Sequence, residues 1–434
     1  MIRAFFVLAL LGLSACATTL PAPEAPLPQQ EEWPDPNSPV ATDPSETESG
    51  EDPQDIEDEG EVIIAEPIEN LPPPPEIKAP PPPPSAPPPE PVIEQLTGYE
   101  NLKYWEDGDH SAALLAFQRS CKSWQKADPE KMLNPNLPEY GRYKDWAPAC
   151  AAASTMPAEA VFARAFFEQN FSPVSLSGKD SDEGLLTGYY EPEINVRLKA
   201  NSVYSEPILA RPSDKKTQKL PRKDIDALSS RVIAYGRPID VFFMQVQGSG
   251  RLRFKDGRAI RAAYAGNNGQ PYKSIGSVLI RRGEMTKEEA SKQSIERWME
   301  NNGPRAAREL MNQNPRYIFF AEEAILDNEG PRGAARVPLT ARGSMAIDPR
   351  YHPYGTLVWL ETKLPQDGND YIAQEGGLLL AMQDTGSAIK GPLRGDVFFG
   401  PGDKAGEIAG VMKHKARWTL LLPKAIADAA EDIS

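Results

Sequence analysis

The sequence predicts a mainly β protein built on one or two small barrels, preceded by a short helical region and a long disordered linker. Three observations carry that prediction. From about residue 184 the chain breaks into short strand-like runs (LLTGYYEPEI, DVFFMQVQGSGRLRF, RYIFFA, TLVWLE and WTLLLP) separated by Gly, Pro, Asn and Asp turns. Helical periodicity is confined to 111–169 and to a stretch near 287–301. Residues 17–95 hold 19 acidic residues, one lysine and about half of the chain's 45 prolines, a composition that cannot bury a core. Many short strands with inserted helices fit barrels better than a parallel α/β sheet.

Taken in order, residues 1–15 read as an export signal. Arg3 supplies the positive start and residues 4–13 a short apolar stretch, too short to cross a bilayer comfortably. The string LSAC at 13–16 resembles a bacterial lipobox, which implies cleavage before Cys16 and lipidation of its thiol. An ordinary signal peptide with a chance cysteine, or an uncleaved anchor, stands beside that reading. Ala17 after the cysteine points to the outer membrane, and hence to a periplasmic protein anchored there.

Residues 16–95 form the linker. Pro72–75, Pro80–84 and Pro87–89 enforce extended polyproline II, and the acidic runs before them repel one another. Its simplest function is reach; a ligand for a partner domain is the alternative. The tract carries more negative charge than the chain's net −15, so the folded remainder is close to neutral. Nothing in that remainder points to a nucleic-acid partner.

Residues 96–180 are predicted to be a helical region. In SAALLAFQRSCKSW, Leu114, Phe117, Cys121 and Trp124 recur at three- and four-residue steps. In AEAVFARAFFEQ, Val161, Ala165 and Phe166 do the same. With Cys16 lipidated, Cys121 and Cys150 are an even pair in an exported protein and point to a disulfide. It would close a loop of about thirty residues, worth on the order of 3 kcal/mol. Two buried free thiols are the alternative.

The β-rich part divides into a groove-forming region, 181–335, and a C-terminal barrel region, 336–424. GYYEP offers Tyr189 and Tyr190 as flat, polar-tipped rings for stacking on sugar, or as a half-buried strand edge. In FFMQVQGSGRLRF, read as a strand, Gln245 and Gln247 share a face, and Ser249 lies between two glycines that allow close backbone approach. Amides and hydroxyls suit sugar hydroxyl and N-acetyl groups. Asp240 just before that strand, and Asn268 and Tyr272 in YAGNNGQPYKSIG, are further candidates for a polar groove.

Three aspartates stand in Gly-rich, apolar-flanked contexts: Asp348 in GSMAIDPRYHPYGT, Asp384 in QDTGSAIK and Asp396 in GDVFFG. Carboxyl groups between strand-like runs are what acid–base chemistry on a glycosidic bond requires. Other chemistries lack their signatures. The three histidines are scattered without HExxH, and there is no GxSxG elbow, catalytic-cysteine string or GxxxxGK[ST] loop. No metal or cofactor is expected.

GYYEP, QVQGSG, YAGNNGQPYKSIG with its following helix, NPRYIFF and the three-aspartate region occur in the order found in the lytic murein transglycosylase A family, which this chain resembles over about residues 184–423. The resemblance implies a double-psi β-barrel and a second β-barrel domain with a glycan groove between them. It also implies cleavage of the β-1,4 bond between N-acetylmuramic acid and N-acetylglucosamine, leaving a 1,6-anhydro end. On it, Asp396 is the acid and then the base, Asp384 the supporting carboxyl, and Asp348 a structural residue pinning the turn at Pro349. Its partners would be peptidoglycan strands, the outer membrane, and cell-wall synthesis or division proteins. A hydrolytic glycosidase with Asp384 activating water, and a non-catalytic murein-binding lipoprotein, are the competing readings.

Overall fold

The computed structural model describes residues 93–178, 181–287, 289–366 and 373–431. The leader, Cys16 and nearly all of the linker lie outside the described residues. No helix among the described residues is long and apolar enough to cross a membrane.

The chain enters through β1 (Ile93–Leu96) and three helices, α1 (Ser111–Trp124), α2 (Tyr143–Ala153) and α3 (Ala160–Asn170). Leu114, Phe117, Cys121 and Trp124 of α1 are buried as their spacing predicts, and Cys121 is disulfide-bonded to Cys150 of α2. The buried face of α3 differs from the expected one. Ala163, Phe166 and Phe167 point inward, whereas Val161 and Ala165 are exposed, because the face of α3 that meets the core carries 163, 166 and 167 while 161 and 165 share another face.

Then follow β2 (Phe171–Leu176), β3 (Glu183–Glu191), β4 (Glu193–Arg197), β5 (Glu206–Leu209) and β6 (Val232–Gly236). Next come α4 (Pro238–Gln247), β7 (Gly250–Phe254), β8 (Ala259–Asn267), α5 (Ile275–Arg281), α6 (Lys292–Met311) and β9 (Ile318–Glu323). The last part holds β10 (Ser344–Ala346), β11 (Leu357–Pro365), β12 (Ala373–Asp384), β13 (Arg394–Pro401), α7 (Asp403–Val411), β14 (Lys413–Pro423) and α8 (Lys424–Glu431).

Among the described residues these strands make two sheets. One runs β1-β2-β14-β11-β12-β10-β13-β3 and closes because β14 also pairs with β3. The free edge of β14 is shared: Lys413–Arg417 pair with β3, and Trp418–Pro423 with β2. β14, β11, β12, β10, β13 and β3 thus form a closed barrel, with parallel pairing at β10–β12 and β13–β3. Its interior and the helical layer over it share one core containing Trp105, Trp146, Trp359 and Trp418.

The second sheet runs β5-β6-β4-β7-β8-β9, and a bridge between Ala210 and Phe320 brings its two edges together around Val196, Ile208, Leu252 and Phe320. α4, α5 and α6 pack beside it in a cluster of their own.

The run DVFFMQVQ is helix α4, not strand. Pro238 occupies its first turn, where a missing N–H costs nothing, and Gly248 caps its end in the left-handed conformation at φ 92°. Only Gly250–Phe254 continues as strand. The chain crosses between barrels at Pro192, between β3 and β4. There the wholly buried Glu191 accepts from Arg251 Nε at 2.9 Å and from Arg261 Nε at 2.6 Å, tying the end of β3 to β7 and β8.

Candidate active site

Strand register brings the two candidate carboxyls together. Ala346 of β10 pairs with Asp384 of β12 on one side and with Asp396 of β13 on the other. Two strand spacings put the aspartate Cα atoms about 10 Å apart. On the far side of β13, Thr187 of β3 pairs with Asp396. Thr187 and Tyr189 are two residues apart on one strand and so share a face. Tyr189 Oη donates to Asp384 Oδ2 at 2.9 Å, and Thr187 Oγ1 donates to Asp396 Oδ1 at 2.6 Å. One strand therefore serves both aspartates.

Asp384 is further fixed by the N–H of Ala334, 2.9 Å from Oδ1. Gly333 allows that approach, since a Cβ there would stand 2.5 Å from the Gln383 carbonyl oxygen. From behind, the fully buried Gln383 amide donates to Ala116 O and Ser120 Oγ of α1, both at 2.7 Å, and accepts from Ser344 Oγ at 2.6 Å. Gln383→Leu would strand these partners, at about 1–3 kcal/mol for each group left unpaired. We expect a lowered urea midpoint and reduced activity; an unchanged midpoint would refute the anchoring role.

The carboxyls face a cavity of about 730 Å³ lined from both barrels, with Asp348, Asp384, Asp396 and Tyr189 on one wall and Gln245, Gln247, Tyr264 and Tyr272 on the other. Burial raises the pKa of Asp396 to about 6, with Asp384 adding to it and Arg394 and Thr187 opposing. Burial also raises Asp384, against hydrogen bonds from the Thr385 and Ala334 N–H groups and Tyr189. The Tyr189 phenol is held well above its usual range by burial and by Asp384, so it remains a donor.

Asp348 behaves oppositely. Burial would raise it, but hydrogen bonds from Arg350 and the Gly391 N–H outweigh that and hold it below the usual carboxylate range. It is an ionised clamp on the loop after β12. His352 steadies the same loop. Its Nε2 lies 2.6 Å from Pro392 O, a pure acceptor, so Nε2 donates and Nδ1 accepts from Tyr140 Oη at 2.8 Å. Burial lowers its pKa to about 4, which keeps it neutral.

The chain is similar to known proteins over the region that holds this site. Residues 185–321 match the MltA specific insert domain, and residues 343–422 match the 3D domain. The chain is 39% identical over 241 residues to membrane-bound lytic murein transglycosylase A of Escherichia coli K12, a match covering 54% of this chain and 64% of that relative. The chain belongs to the membrane-bound lytic murein transglycosylase A family. The crystal structure of a membrane-bound lytic murein transglycosylase from Agrobacterium tumefaciens superposes with a TM-score of 0.65 at 29% identity, covering 77% of this chain and 99% of that one. A crystal structure of Escherichia coli MltA with bound chitohexaose gives 0.59 at 28% identity, covering 76% and 94%.

Within this transglycosylase A family member, the candidates picked from the sequence divide. Asp384, Asp396, Tyr189, Gln245, Gln247, Ser249 and Tyr272 all line the cavity. Three others do not. Tyr190 alternates to the opposite face of β3 and packs on α7, where a Cβ at Gly406 would stand 2.6 Å from its ring. Asp240 lies in the first turn of α4, at the opposite end of that helix from the cavity-lining Gln245 and Gln247. Asn268 is a loop brace: its amide donates to Leu220 O and Pro315 O and accepts from the Tyr317 N–H.

The amides serve the frame as well. Gln245 Oε1 accepts from the buried Arg222, and Gln247 Oε1 accepts from the Tyr190 N–H at 3.2 Å. Sequence reasoning overlooked Thr187, Arg394 and Ala334. Strand alternation back from Tyr189 was the signal for Thr187; Ala334 acts through its backbone and left none.

Proposed function

We propose that this protein is a lytic transglycosylase that cleaves the β-1,4 bond between N-acetylmuramic acid and N-acetylglucosamine in murein and leaves a 1,6-anhydro end. One observation carries the reading: a carboxyl with its pKa raised to about 6, at the wall of a cavity large enough for sugar rings, in a chain of this family. The chitohexaose held by the Escherichia coli relative supports a glycan strand as the occupant.

Protonated Asp396 donates to the glycosidic oxygen as the bond to the anomeric carbon breaks. The carboxylate so formed then takes the proton of the muramic acid C6 hydroxyl as that oxygen attacks the same carbon. Proton and bond counts balance without water. Asp384 supports this by raising the proton affinity of Asp396. A two-carboxylate hydrolase would use Asp384 to activate water and would leave hydrated reducing ends, which product analysis separates from anhydro ends.

Cys16 would carry the lipid that anchors the protein to the outer membrane, with residues 17–95 as its tether to the murein layer. Mass spectrometry of sacculi digested by the full chain tests the reaction. Products one water lighter than hydrated muropeptides are expected. Hydrated reducing ends would replace the reading with hydrolysis, and no products with retained binding would leave a murein-binding lipoprotein.

A further inference from the structure

We propose that Arg394 and Thr187 form a positioning relay that gives the two oxygens of Asp396 fixed roles: Oδ1 is a standing acceptor, and Oδ2 alone carries the acid proton. The proposal rests on the reading of Asp396 as the acid. Arg394 and Asp396 are two residues apart on β13 and share a face, and their partners on β3 are Leu185 and Thr187.

The guanidinium has donors only. It is held by Leu185 O at 3.4 Å and by Gly395 O, and its Nη2 lies 2.8 Å from Thr187 Oγ1. Thr187 must accept that bond. Its one proton then has a single acceptor among the described residues, Asp396 Oδ1 at 2.6 Å. The alternative, a proton on Oδ1 pointing at Thr187, would leave the threonine hydroxyl hydrogen without a partner. The short distance also fits an O–H donor on a carboxylate. Oδ2 receives no hydrogen bond from the described residues, so it is the oxygen open to a ligand in the cavity.

The relay also tunes the acid. The charged and titratable groups facing Asp396 are Arg394 on its own strand, Asp384 from β12 and Tyr189 from β3. Lys413, paired with Thr187 from β14, is exposed. Both Thr187 and Arg394 favour the ionised carboxyl, so removing either raises its proton affinity.

The test is the pH profile of kcat/KM for release of anhydro ends from sacculi by the full chain. Thr187→Val is expected to lower the rate and to move the alkaline limb upward by about half to one pH unit. Arg394→Gln is expected to move it the same way, and Thr187→Ser to keep both rate and limb near wild type. Should Thr187→Val fail to fold, Arg394→Gln carries the reading. A limb that stays put or moves downward overturns the relay even if activity falls, because loss of packing alone would not move a titration. An inactive wild type would instead overturn the proposed function.

Discussion

Asp396→Asn is expected to remove about 10²–10⁴-fold of the turnover on murein while making the fold more stable at neutral pH. The amide keeps the shape of the carboxyl and can still accept from Thr187, but it can neither donate the acid proton nor receive the one from the C6 hydroxyl. Stability moves the other way because the native carboxyl binds its proton more tightly than the unfolded one does. Its pKa rises from 3.8 to about 6 on folding. Between those values the native state holds more protons than the unfolded state, so wild-type stability falls as pH rises through that window.

Above pH 6 the ionised, half-buried carboxylate is a standing cost of up to about 3 kcal/mol, less whatever solvent screens, and asparagine removes it. Urea melts of both proteins at pH 4 and pH 7 would read this as a gap that opens with pH. The same titration predicts that wild-type kcat/KM declines as pH rises past about 6. A variant that retains turnover, or one that is inactive only because it is less stable, would refute the assignment.

How far the sequence discloses this site depends on the range of the interactions involved. The period of α1 and the apolar runs of β11 and β14 are local, and local reading finds them. The candidate aspartates were legible because glycines and apolar strands flank them. The strand assignment of DVFFMQVQ fails because its β-branched and aromatic residues favour a strand, while Pro238 and Gly248 favour a helix, and packing on α5 and α6 decides for the helix. Tyr189 and Tyr190 look equivalent in GYYEP, yet alternation sends one to Asp384 and the other to α7.

The partners of the carboxyls were beyond local reading. Thr187 lies 209 residues from Asp396 and meets it through a parallel pairing that no hairpin spacing announces. Asp348 is expected from the sequence to pin the turn at Pro349, a local pattern, and its carboxyl accepts from the Arg350 and Gly391 N–H groups there.

Glu191→Ala is expected to have the largest effect on folding, lowering stability by about 3–5 kcal/mol. Its carboxyl is wholly buried where β3 hands the chain to β4, with one guanidinium on each oxygen. Arg261 is almost as deeply buried and, if the carboxylate is lost, keeps among the described residues one hydrogen bond, to the Glu329 carbonyl, and the more distant charge of Glu323. Arg251 is less confined and retains Glu193. Removing the glutamate therefore strands one buried cation rather than two, and that stranded charge, not the lost attraction, sets the size of the effect.

The damage should also reach the chemistry. Thr187 and Tyr189 stand on β3 just before Glu191, and the opposite wall of the cavity belongs to the barrel that Glu191 ties down. Glu191→Gln keeps the shape and one acceptor and should fall between wild type and alanine, whereas Arg261→Met in the Glu191→Ala background should recover part of the loss. Thermal and urea midpoints of the three variants decide the matter: a Glu191→Ala protein as stable as wild type would mean that this junction holds the barrels together by apolar packing alone.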